Sequence, residues 1–91
     1  MPCVYMLRCR NGSLYTGAAM DLPSRLRAHE SGRASRYTRA HLPVVLVWWR
    51  AVETWSDALR EEHRIKQLSR QGKEAFLAAC VSPVPTPPPP P

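Results

Sequence analysis

The chain has 91 residues, and its thirteen Lys and Arg against seven Asp and Glu give a formal charge of +6 and a pI near 9.9. Its proline-dominated end, Ser82 to Pro91, cannot join a helix or sheet interior, which leaves roughly eighty residues, enough for one small domain and no more. The three cysteines, Cys3, Cys9 and Cys80, are odd in number and form no CxxC pair, which argues against a disulfide framework or a cysteine-built zinc site.

In chain order, Val4 to Cys9 reads as a strand. Asn11-Gly12 marks a turn, and Ser13 to Gly17 reads as the returning strand of a hairpin. Asp21, with Pro23 two residues on, signals a helix start, and Gly32 its stop. "GRASRYTRAH", Gly32 to His41, reads as a polar basic loop closed by Pro43, and Val44 to Val52 as a buried strand containing Trp48 and Trp49. Thr54 or Ser56 caps a second helix running to about Ser69, and Lys73 to Cys80 makes a short third. The expected architecture is α/β of the α+β type: order ββαβαα, three strands in an antiparallel sheet, and helices covering its faces. Residues 1–81 form the expected domain and 82–91 a solvated polyproline tail whose partner the sequence does not identify.

The tail carries no ionisable side chain, so all of the positive charge sits on the domain. That favours a polyanionic partner over a merely solvated basic surface. No segment combines a basic face with an aromatic-rich apolar one, no charged-then-apolar leader opens the chain, and the longest apolar run, Leu42 to Trp49, is too short to span a bilayer. A reducing cytoplasm without membrane attachment is the expected location.

Two hairpin registers are available. A two-residue Asn11-Gly12 turn places Tyr15 opposite Arg8, with Tyr5 on the other face. A three-residue Arg10-Asn11-Gly12 loop, with Gly12 left-handed, pairs Leu7 with Tyr15 and puts Tyr5 and Tyr15 on one face. On the first helix, Leu22 and Leu26 form an apolar pair, Arg25 and His29 flank it, and Arg27 turns to solvent. On the second, Ala58, Leu59, Ile65 and Leu68 mark an apolar stripe that includes Glu62 but not Glu61. A carboxylate facing the core needs a cation or strong donors. A salt bridge, with Arg25 one candidate, or a hard metal ion satisfies that need.

In order, "VYML" at Val4 to Leu7, "LYTG" at Leu14 to Gly17, "DLPSRLRAH" at Asp21 to His29 and "ALREEHRIK" at Ala58 to Lys66 resemble the GIY-YIG nuclease superfamily, and within it the small stand-alone bacterial YhbQ-like group. The resemblance covers about Cys3 to Leu77, including the "SGRASRYTRAHLP" loop. It implies a three-stranded antiparallel sheet flanked by helices and an endonuclease that cuts phosphodiesters of DNA using one divalent ion, Mg²⁺ or Mn²⁺; a domain this small has no appended reader, so little sequence specificity is expected. It also requires the second hairpin register.

Residue by residue, the resemblance makes Tyr5 the tyrosine of the first half-motif, orienting water or phosphate, and Tyr15 that of the second, the candidate base. Arg25 becomes the phosphate clamp, His29 a phosphate-positioning or proton-relaying group, and Glu62 the metal ligand. An Mg²⁺ ion that keeps several waters can be held by one carboxylate plus the substrate phosphate. A tyrosine of ordinary pKa, about 10, is a poor base at neutral pH, so such a role needs a metal or basic group beside it. Arg33, Arg36, Tyr37 and Arg39 are the candidate nucleic-acid contacts, three phosphate binders and one stacking ring. The expected partner is DNA, branched and single-stranded forms included, with no small-molecule cofactor. Isoleucine and glycine of the first name-giving triplet are replaced, Thr16 replaces the isoleucine of the second, and Ala18 stands where some members carry a lysine. A nucleic-acid-binding module that keeps the fold but cleaves weakly or not at all is therefore the alternative. Trp48, Trp49 and Trp55 are read as packing, and His41 and His63 receive no role.

Overall fold

The computed structural model describes residues 1–79, so Cys80, the expected boundary at residue 81 and the proline-dominated tail lie outside the described residues. Six consecutive residues form the central strand β1, Cys3–Arg8; its first five are buried on both faces, which is why Cys3 to Leu7 reads as an apolar run. Strand β2, Leu14–Ala19, and strand β3, Val45–Ala51, flank it antiparallel in the order β2-β1-β3. The hairpin takes the three-residue loop: Leu7 pairs with Tyr15 and Tyr5 with Gly17, the Cys9 N–H donates to the Ser13 carbonyl at 2.9 Å, and Gly12 has φ +86°. Asn11 holds the turn by accepting from both the Ser13 N–H and its hydroxyl.

Alternation along β1 divides the core in two. Cys3, Tyr5 and Leu7 face helix α1, Leu22–Glu30, with Ala19 and Leu22 in the same cluster; Val4 and Met6 face helix α3, Trp55–Lys66, with Trp48, Ala58 and Ile65. A bulge at Val47 shifts the pairing, so that Met6 meets Trp48 while Leu7 meets Leu46. Asp21 caps α1 by accepting from the Ser24 N–H, and Gly32, at φ +78°, ends it in a Schellman arrangement with Arg33 N–H on the Ala28 carbonyl at 2.8 Å.

Three elements differ from expectation. The basic loop contains a one-turn helix, α2, Arg36–Ala40, capped by Ser35, so the order is ββααβαα; five residues are too few to show a helical period. Helix α3, capped by Thr54, ends at Lys66 rather than near Ser69, because Ser69 accepts from the Gly72 N–H and starts helix α4, Arg70–Ala79, ahead of its expected Lys73. Leu59 lies outside the buried stripe at 44% exposure, since it is rotated about 100° from the fully buried Ala58. Helix α4 is tied to β1 by a forked ion pair from Arg8 to both oxygens of Glu74, at 3.0 and 2.7 Å. No helix among the described residues is long and apolar enough to cross a membrane.

Thr16 pairs with Met6, and its buried hydroxyl has no hydrogen-bond partner among the described residues. A buried hydroxyl without a partner costs about 1–3 kcal/mol. Thr16→Val keeps the shape and removes the orphan, and is expected to stabilise the domain by about 1 kcal/mol, a rise of about 4–8 °C in melting temperature. A midpoint at or below that of the parent protein would count against an unsatisfied Thr16.

Candidate active site

The face of the sheet under α1 holds Tyr5, Tyr15 and His29. Tyr5 and Tyr15 lie on it together because the three-residue loop sets the register, with ring centroids 6.5 Å apart. His29 reaches down from α1, edge-on to both rings, at 5.7 Å from Tyr5 and 5.2 Å from Tyr15. Its Nε2 is 2.8 Å from the Tyr5 hydroxyl and its Nδ1 is 2.9 Å from Thr38 Oγ1 on α2. His29 and Thr38 are fully buried and Tyr5 nearly so.

The proton positions follow from the network. Thr38 directs its hydroxyl proton at the Ser35 carbonyl, 3.3 Å away, so its oxygen accepts from His29 Nδ1–H. Nε2 is then bare and accepts from the Tyr5 hydroxyl. A chain of donors thus runs from the sheet through α1 to the cap of α2. Both ring nitrogens of His29 are committed to protein partners. In this arrangement His29 holds the Tyr5 hydroxyl in place.

Burial pushes the Tyr5 phenol well above the ordinary tyrosine range; Tyr15 and Glu62 push the same way, and Arg25 opposes them. Tyr5 therefore stays protonated and acts as a hydrogen-bonding group. Arg25 is solvent-exposed on α1, and Glu62 lies on α3. The position of Gly17 opposite Tyr5 explains how the phenol fits: a Cβ at Gly17 would stand 2.5 Å from the Tyr5 oxygen and 2.6 Å from Cζ. The bare glycine is the slot that the ring end occupies.

Burial, with the Arg25 charge added, holds the His29 pKa below its ordinary value. The unfolded chain then binds this proton more readily than the folded one. The stabilising contribution is full above the unfolded pKa, about 6.5, and is lost as the pH falls through the lower folded value. Denaturant midpoints are expected to drop between about pH 7 and pH 5, and His29→Gln should flatten that part of the profile. An unchanged slope in the variant would assign the drop to other groups.

Glu62 is half-buried, with 20% of its side chain exposed. Its ion-pair partner is Lys66, one turn further along α3 at 3.3 Å, and not Arg25. Glu61 is no more exposed, at 20% of its side chain, and pairs with Arg50 and Arg64, the latter holding its carboxyl below the usual range. The described residues include no group of three or more His, Cys, Asp or Glu side chains gathered as a metal cage. The donor set is therefore one carboxylate, which fits a hard ion that keeps most of its waters and takes further oxygens from a phosphate.

The candidate nucleic-acid residues divide. Arg33, Arg36 and Arg39 line one open pocket of about 370 Å³ with Gly32, Ala34 and Ser35. Tyr37 is outside that lining; its hydroxyl donates to Ser13 Oγ and its ring lies 4.7 Å from His41. Thr38 is the residue that sequence reasoning missed, since a threonine in a polar loop carries no signal of its burial under α1.

The model of the GIY-YIG catalytic domain matches residues 1–75 of this chain. The chain belongs to the GIY-YIG family. Within the family it is similar to a UPF0213 protein of Staphylococcus saprophyticus, at 43% identity over 75 residues covering 82% of this chain and 92% of the relative. A UPF0213 protein of Halobacterium salinarum is 43% identical over 74 residues, covering 81% of this chain and 96% of that one. The solution NMR structure of the UPF0213 protein BH0048 from Bacillus halodurans superposes with a TM-score of 0.61 at 38% identity, covering 91% of this chain and 89% of that chain. The antiparallel sheet with flanking helices is thus the GIY-YIG fold, and Tyr5 and Gly17 meet in it as a cross-strand pair.

Proposed function

We propose that this GIY-YIG domain is a divalent-metal-dependent endonuclease that hydrolyses phosphodiester bonds of DNA with little sequence specificity. The observation that carries this is the face under α1, where the Tyr5 and Tyr15 rings lie 6.5 Å apart, the Tyr5 hydroxyl is hydrogen-bonded to His29, and the exposed Arg25 lies on the same helix as His29. Glu62 would hold Mg²⁺ or Mn²⁺, which when bound supplies charge neutralisation at the phosphate and a more acidic water. Arg25, exposed at the edge of the face, clamps a phosphoryl oxygen and offsets the charge gathering there. Tyr15 is the candidate acceptor of the water proton. Tyr5 orients the water or the phosphate, and His29 fixes Tyr5. The arginine pocket beside α2 binds the backbone further along the strand.

Purified protein incubated with plasmid, branched and single-stranded DNA in Mg²⁺ or Mn²⁺, beside Glu62→Ala and Tyr15→Phe, tests the proposal. Cutting that survives Glu62→Ala removes the metal assignment, and cutting that survives Tyr15→Phe removes the base. A second reading, a nucleic-acid-binding module with little or no cleavage, is favoured by the Lys66 ammonium already seated on Glu62. Binding that weakens with salt, without any cutting, selects it.

A further inference from the structure

Trp55 opens α3 with 40% of its surface exposed, whereas Trp48 is buried at 7%. It forms one wall of an open pocket of about 390 Å³, within the usual range for small-molecule sites, about 300–1,000 Å³. The other walls come from Ala19 and Met20 at the end of β2 and from Asp21, Ser24, Arg25 and Ala28 of α1 and its cap. Met20 is also exposed, at 59%, so the pocket has an apolar side beside its arginine. Asp21, its acidic member, is engaged through Oδ1 with the Ser24 N–H. Arg25 takes part in no ion pair among the described residues, and its charge is available to an anion.

We propose that this pocket is a nucleobase subsite: the base of an unpaired nucleotide stacks on the Trp55 indole while its neighbouring phosphate is held by Arg25. The inference rests on the proposed function and names the substrate class that function leaves open. An indole presents a flat face to any base, so the contact selects structure over sequence. A paired, stacked base in a duplex has no free face to offer, and a single strand, a flap or a junction does. The occupant is a nucleic acid because the apolar wall and the phosphate-binding cation share one pocket on a domain of net charge +6.

Tryptophan emission of the full chain is titrated without divalent metal against a single-stranded oligonucleotide, the same strand carrying abasic sites, and a blunt duplex. Quenching is expected with the first, and much less with the others. Trp55→Ala should weaken single-strand binding about tenfold, and Trp55→Phe should retain most of it. Equal quenching by the abasic strand, or Trp55→Ala binding as tightly as Trp55→Phe, overturns the subsite. Because the quenching is read on the unaltered chain, a poorly folded alanine variant does not remove the test. Cleavage of single-stranded DNA is measured in parallel with added Mg²⁺. Cleavage that persists without stacking sinks this inference and leaves the nuclease proposal standing; stacking without cleavage does the reverse.

Discussion

Gly17→Ala is expected to lower cleavage about a hundredfold and to destabilise the domain by about 1–3 kcal/mol. A methyl group there would meet the Tyr5 oxygen at 2.5 Å and Cζ at 2.6 Å, distances that real Cβ atoms do not tolerate. The Tyr5 ring has little freedom to retreat, because it is 1% exposed and its hydroxyl is bonded to a histidine with no exposed surface. The displaced phenol would leave His29 Nε2 without a donor and shift the group that orients the reacting centre. A double-mutant cycle separates this from a general strand effect: in a Tyr5→Ala background the new methyl has space, so the destabilisation should shrink. If Gly17→Ala costs the same stability in both backgrounds, the glycine is not a slot for the ring.

Thr38→Val is expected to cost about 1–3 kcal/mol, as it strands a buried imidazole nitrogen, whereas Thr38→Ser keeps the hydroxyl and loses only a methyl. The expected signature lies in the imidazole itself. Nitrogen NMR shifts of His29 should report a protonated Nδ1 and a bare Nε2 in the parent and the serine variant. In Thr38→Val the Nδ1–H has no acceptor, so the proton is expected to move toward Nε2 and reverse the direction of the Tyr5 hydrogen bond. Cleavage should fall in the valine variant and return in the serine one. A His29 tautomer indifferent to both substitutions would remove the positioning role of Thr38.

Much of this was legible before any coordinates. Local signals are strong where the backbone does something only certain residues allow: Asp21 and Thr54 as caps, and Gly32 as the left-handed stop of α1. The position of Glu62, rotated about 40° from Ala58, follows from helical geometry alone. The hairpin register did not follow from pattern, because both turns satisfy Asn11-Gly12. It was fixed by the family resemblance, and the structure has the three-residue loop. Helical i,i+4 spacing accounts for the ion pair of Glu62 with Lys66, a shorter reach than the Arg25 candidate. Helix α2 and the burial of Thr38 were out of reach. Their stability comes from docking under α1, and tertiary contacts of that kind leave no mark on a five-residue segment.

The loop at Gly12 decides which side chains of the hairpin share a face. Asn11-Gly12 satisfies either turn, so the register depends on whether Arg10 belongs to the loop or to the strand. With Arg10 in the loop, Leu7 pairs with Tyr15. Were Arg10 to join the strand opposite Ser13, every side chain of β2 would cross the sheet, Tyr15 would leave the face it shares with Tyr5 and His29, and Thr16 would arrive in its place. An exposed residue at the tip of a turn thus sets the composition of a buried face several residues away.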